Sequence, residues 1–246
     1  MSRRAWVRQI MGMPISIHVR GTDVDSPTVV FGVEAAFDRL RQADRLFSTY
    51  QPDSEISQIR RGELDPSQAD PLVREVIVLC QQARELTEGA FTDQLPDDKG
   101  VPRFDPTGLV KGWAADRAAC RLAELPEASF CLNAGGDVVV GATAAEAGDS
   151  PAELWRVGIE DPLDRSRIAE VVELSHGGVA TSGTAARGAH LYDPGTQTFV
   201  GRTGSVSVVG PNLMWADVWA TALFVGPASL PRRFSRVAEG YRMISL

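Results

Sequence analysis

A chain of 246 residues with 43% apolar and 23% charged content is long enough to bury a hydrophobic core and has an ordinary soluble, globular composition. Its formal net charge of −7 argues against broad, charge-driven binding to nucleic acid, yet leaves room for a phosphate-bearing molecule held beside a divalent cation. Cys80, Cys120 and Cys131 show no metal-ligand spacing and leave one thiol over in any disulfide scheme, so reduced thiols are expected.

Near the start, Arg3-Arg4 is followed by Ala5-Trp6-Val7-Arg8-Gln9-Ile10, where Arg8 and Gln9 interrupt any apolar export segment. The longest apolar stretch, residues 213–225, is too short and interrupted to span a bilayer, and a cytoplasmic protein is expected. Ile15, Ile17 and Val19 alternate with Ser16, His18 and Arg20, the period of a half-buried strand with His18 on its polar side. Val30, Val33, Phe37, Leu40 and Phe47 share one face of a helix over residues 27–47. A second helix begins with Asp70 as N-cap and Pro71 at the first helical position, and stops near Gly89 with Cys80 on its apolar face. A third runs from about Val110 to Leu125. Strands follow at 130–133, 138–140, 155–159, 168–174 and 206–209, with residues 144–151 expected to be a loop. A helix over 213–225, a shorter one and a last strand near 241–244 complete an α+β pattern without regular βαβ alternation.

Four segments carry possible chemistry. In Thr181-Ser182-Gly183-Thr184-Ala185-Ala186-Arg187-Gly188-Ala189-His190, glycines and hydroxyls suit an anion, and His190 is the side chain best poised for proton transfer. A plain polar loop explains the same letters. Asp217 and Thr221 project from one helix face, a donor pair suited to Mg²⁺, unless the threonine merely bonds its own helix and the aspartate faces solvent. Gly135-Gly136-Asp137 permits close backbone approach to a ligand or forms a simple turn in which Asp137 is hydrogen-bonded. Asp105-Pro106-Thr107-Gly108 leads irregularly into a helix, placing Lys111 where a phosphate could sit or where it is simply solvated. The segment after Phe47 reads as a helix exit, with Tyr50 able to stack on a planar ring. Neither a dinucleotide glycine fingerprint nor a Walker A motif is present.

Seven collinear runs together resemble the ApbE family of flavin transferases: MGMPISI (11–17), FSTYQPDSEIS (47–57), GAF (89–91), DPTGLVKGWAAD (105–116), NAGGD (133–137), TSGTAARGAHLYDP (181–194) and ADVWATALFV (216–225). The resemblance implies one compact α+β domain over residues 1–246, with a mixed, largely antiparallel sheet and packed helices. It implies an Mg²⁺-dependent FAD:protein FMN transferase that cleaves the FAD pyrophosphate, attaches FMN to a Ser or Thr of a target flavoprotein and releases AMP. Alternatives within the same resemblance are an FAD diphosphatase and a non-catalytic FAD carrier. By position, the Gly108 carbonyl, Asp217 and Thr221, with Ala220 adjacent, would hold the metal. Met11, Tyr50, Ala90, Phe91, Thr92, Asp105, Lys111 and Leu191 would line the FAD site, and His190 would be the catalytic residue. The chain departs from the family pattern with Thr92 where an aspartate usually follows GAF, Asp-Pro-Thr-Gly before the lysine, and Arg60 near a customary asparagine.

Overall fold

The computed structural model describes residues 2–142, 154–184 and 191–246. The expected loop at 144–151 lies outside the described residues. The chain opens with β1 (Ser2–Ile10), β2 (Met13–Gly21), α1 (Pro27–Phe47), α2 (Glu55–Arg61) and α3 (Pro71–Leu86). It continues through β3 (Gln94–Pro96), β4 (Pro102–Phe104), α4 (Thr107–Leu122), β5 (Ala128–Ala134) and β6 (Asp137–Ala142). Then come β7 (Trp155–Glu160), β8 (Ile168–Leu174), β9 (Gly177–Gly183), β10 (Tyr192–Asp193) and β11 (Thr198–Phe199). The last elements are β12 (Ser205–Gly210), α5 (Leu213–Val225), α6 (Leu230–Val237) and β13 (Arg242–Ser245).

Seven strands form one sheet in the order β1-β2-β5-β6-β9-β12-β13, and every pairing in it is antiparallel. One face carries the main core, where Ile15, Ile17 and Leu132 lie under α1, α4 and α5. The α1 helix obeys its sequence signals. Ser26 caps it, Pro27 opens it, and Val29, Val33, Phe37, Leu40 and Phe47 are buried at three- and four-residue spacing. Val29 takes the fully buried place expected of Val30, which packs at the margin. In α3, Asp70 accepts the Leu72 N–H at 2.8 Å, and Cys80 is buried as expected. The opposite sheet face is covered by the β7–β8 hairpin, which brings Trp155, Ile159 and Val172 against Val138, Val140, Val179 and Val209.

Three of the departures from the sequence reading bear on the site. The segment after Phe47 is more than a helix exit, because Ser54 caps α2 by accepting the Ser57 N–H. The α4 helix starts three residues earlier than expected, at Thr107, which puts Gly108 in its first turn. Thr181 to Gly183 close the strand β9 instead of opening a loop.

Candidate active site

The α5 helix is apolar on all sides and almost wholly buried, and Asp217 is its one charged residue. Two tight contacts hold it in place. A Cβ on Gly112 of α4 would stand 2.7 Å from the Met214 Cα, and one on Gly178 of β9 would stand 2.8 Å from the Leu213 Cβ. Only glycine lets α4 and β9 approach α5 this closely. Asp116 of α4 also accepts the N–H groups of Leu213 and Met214, at 3.2 and 2.8 Å, and Asn212 accepts that of Trp215. The first turn of α5 is thus satisfied by side chains, one of them from another helix.

This crossing sets Lys111 of α4 beside Asp217, with its ammonium 3.6 Å from Asp217 Oδ1. The same ammonium forms an ion pair with Asp137 Oδ2 at the start of β6. Asp137 Oδ1 accepts the Thr181 N–H of β9 at 3.1 Å, and the hydroxyl of the next residue, Ser182, lies 3.0 Å from Thr221 Oγ1 on α5. Asp217 and Thr221 are therefore linked both along their helix and through a circuit across α4, β6 and β9. Asp137 and Asp217 are 2% and 3% exposed, so two carboxylates share one ammonium away from water. Among the described residues, Asp217 Oδ2 accepts no hydrogen bond. Burial pushes the Asp217 carboxyl well above the usual carboxylate range, against the pull of Lys111, while the nearby Asp137 charge adds to the rise. An uncompensated buried oxygen beside a hydroxyl suits a hard divalent cation.

The other residues singled out by sequence fall into two groups. Gly108 lies one turn before Lys111, and the Phe91 ring comes within 3.4 Å of where a Gly108 Cβ would stand. Ala90 and Phe91 are buried, the Phe91 N–H is held by Thr87 Oγ1, and Thr92 accepts the Gln94 N–H. Asp105 is engaged by the chain itself, accepting from the Thr107 N–H and hydroxyl while pairing with Arg60 at 3.2 Å. Ala220 is buried beside Thr221. Met11 occupies the β1–β2 turn at φ 54°, half-buried against the core. Leu191 is half-buried, with its carbonyl accepting the Val200 N–H, and Tyr50 is 95% exposed. His190 lies outside the described residues.

Two sequence expectations change. Asp137 does not bond within its own turn. There Gly135 and Gly136 both take positive φ, and Asn133 Oδ1 accepts the Gly136 N–H. Lys111 is not simply solvated, because two buried acids engage it. Asp137 and Ser182 stood within candidate segments, but the sequence reading gave neither a place beside Asp217 and Thr221. The available signal was periodicity: Asp137 shares a strand face with Val139, which points into the main core.

The sequence profile described as the ApbE family matches residues 11–95 and 93–242. A FAD:protein FMN transferase of Klebsiella pneumoniae is 30% identical over 142 residues, covering 52% of this chain and 39% of that protein. One from Rhodobacter capsulatus is 32% identical over 173 residues, covering 67% of this chain and 32% of that protein. The matched region thus spans less than half the length of these curated relatives. Among solved structures, the ApbE protein of Thermotoga maritima superposes with a TM-score of 0.79 at 22% identity, over 99% of this chain and 94% of that one. Flavin transferase ApbE from Vibrio cholerae gives 0.76 at 20% identity, over 99% and 97%. The structural matches establish the fold and the profile covers most of the sequence: this chain belongs to the ApbE family.

Proposed function

We propose that this chain is an Mg²⁺-dependent FAD:protein FMN transferase, acting as one domain over residues 1–246. The observation that carries the reading is the buried Asp217 Oδ2, which has no hydrogen-bond donor among the described residues and stands on one helix face with Thr221 in a chain of this family. Asp217, Thr221 and the Gly108 carbonyl, with Ala220 in the same turn, are the groups that would hold the metal. Bound there, Mg²⁺ supplies charge neutralisation for the pyrophosphate oxygens. Met11, Tyr50, Ala90, Phe91, Thr92, Asp105 and Leu191 line the FAD site, with Lys111 at its border as a counter-charge.

In the reaction, the Ser or Thr hydroxyl of the target flavoprotein attacks the FMN-side phosphorus. A new P–O ester forms, the bond to AMP breaks, and AMP leaves. His190 accepts the hydroxyl proton, which the weak nucleophile must lose. The chain's contribution is positioning and a fixed electrostatic field.

The test is incubation with FAD and a flavoprotein acceptor, with Mg²⁺ or with EDTA, followed by chromatography of AMP, FMN and protein. Mg²⁺-dependent AMP with protein-bound flavin is expected. AMP with free FMN makes the chain a diphosphatase, and FAD binding with no AMP makes it a carrier. His190→Ala is expected to slow transfer about 10²–10⁴-fold, the usual weight of a general base.

A further inference from the structure

Asp137 connects to both prospective metal ligands. Through Lys111 it reaches Asp217, and through Thr181 and Ser182 it reaches Thr221. The Lys111 ammonium lies closer to Asp137 than to Asp217, whose Oδ1 stands 3.6 Å away. Among the described residues neither Asp217 Oδ2 nor Asp137 Oδ2 accepts a hydrogen bond, but the ammonium stands against Asp137 Oδ2. An ammonium and a divalent cation compete for the same carboxylate because each neutralises the charge the other seeks. The position of Lys111 therefore decides whether Asp217 is open to metal.

Resting on the reading of Asp217 as a metal ligand, we propose that Asp137 is a positioning residue that holds the Lys111 ammonium off Asp217 and so keeps the cation site open. Asp137 is suited to the task because it is buried and fixed by the Thr181 N–H, so its carboxylate cannot follow the lysine outward. With its charge removed, Asp217 becomes the remaining carboxylate near the ammonium. Lys111 then closes on it as an internal substitute for the metal.

The experiment is a titration of metal-free protein with Mn²⁺ alone, following the electron paramagnetic resonance signal of the free ion, so that no turnover is involved. Circular dichroism melts verify that each variant is folded. Asp137→Asn is expected to weaken Mn²⁺ binding roughly 5- to 20-fold, a common size for coupling between two occupants. Lys111→Met is expected to tighten it. In the double variant the competitor is gone, so the loss caused by Asp137→Asn should largely disappear. Binding that stays weak in the double variant, or is unchanged in Asp137→Asn, overturns the proposal. Should Asp137→Asn fail to fold, Lys111→Met decides alone, and weaker or equal binding there overturns it. Asp217→Asn separates the two levels of inference. If Mn²⁺ binds that variant as it binds the parent, the metal-ligand reading itself is wrong. If Asp217→Asn abolishes binding while Asp137→Asn does not alter it, only the positioning role fails.

Discussion

Asp217 shows how one side chain can weaken a fold. A carboxylate buried in an apolar helix, sharing one ammonium with a second acid, is held at a cost in desolvation that outweighs the pull of Lys111 and the Gly112 N–H. Asp217→Asn should therefore leave the melting temperature of the metal-free protein unchanged or raised. The same variant should lower Mg²⁺-dependent AMP release by at least about 10²-fold, the scale on which enzymes lose rate when a group stabilising developing charge is removed. Calorimetry and the AMP assay on one preparation check both halves. A clear fall in thermal stability would contradict this account of the residue. The Asp217–Thr221 pair was legible in sequence because the i,i+4 spacing needs no tertiary knowledge. Asp137 and Ser182 stood in candidate segments, but their links to Lys111 and Thr221 were not legible, because those partners arrive from α4 and α5, far away along the chain.

At the scale of elements, the α4–α5 crossing controls the site. Gly112→Ala places a methyl 2.7 Å from the Met214 Cα, and backbone cannot yield as a flexible side chain does. Overpacking of this kind costs about 1–3 kcal/mol, to be read in urea unfolding. Asp116→Ala strips the acceptor from the Leu213 and Met214 N–H groups and should cost about 1–2 kcal/mol, as the loss of a helix cap does. Asp116 also gives a pH dependence. Burial pushes its carboxyl up from 3.8 to about 6, against the two N–H groups that favour the charged form. The native state then binds this proton more tightly than the unfolded chain. The group's contribution to stability is fullest below pH 3.8 and is lost as pH rises to about 6. Unfolding of Asp116→Asn in urea between those values should lack this downward component. Element boundaries were legible where local chemistry speaks, as with Asp70-Pro71 for α3 and the apolar run of α5. β1 was hidden because Arg4 and Arg8 occupy alternate positions with Trp6 and Ile10. They are accommodated there by pairing with Asp25 and Glu34. β9 was hidden because its small residues are chosen for the close approach of α5, and small residues carry little strand signal.

Across the whole molecule, the two faces of the sheet divide the work. Helices and the candidate site occupy one face, while the β7–β8 hairpin only seals the other. No helix among the described residues is long and apolar enough to cross a membrane. A cation bound to the native state alone stabilises it by mass action, by about 2.7 kcal/mol at a hundred times its dissociation constant. For a chain of this size that is roughly 5–10 °C in melting temperature. The shift should vanish with EDTA or in Asp217→Asn, and its persistence in Asp217→Asn would place the ion elsewhere.

The strand order also carries a consequence for how the chain reaches its native state. β1 and β2 are neighbours joined by a two-residue turn, but β2 must wait for β5, with α1 to α4 lying between them in sequence. Pairings so distant are slow to form, because the intervening loop must close before any contact rewards it. Lys111, Asp137 and Asp217 come from α4, β6 and α5, so the charged centre exists only once the last of these helices has docked. Uptake of a divalent ion during refolding should therefore lag behind the recovery of helical circular dichroism. The ion would then serve as a clock for the final assembly step.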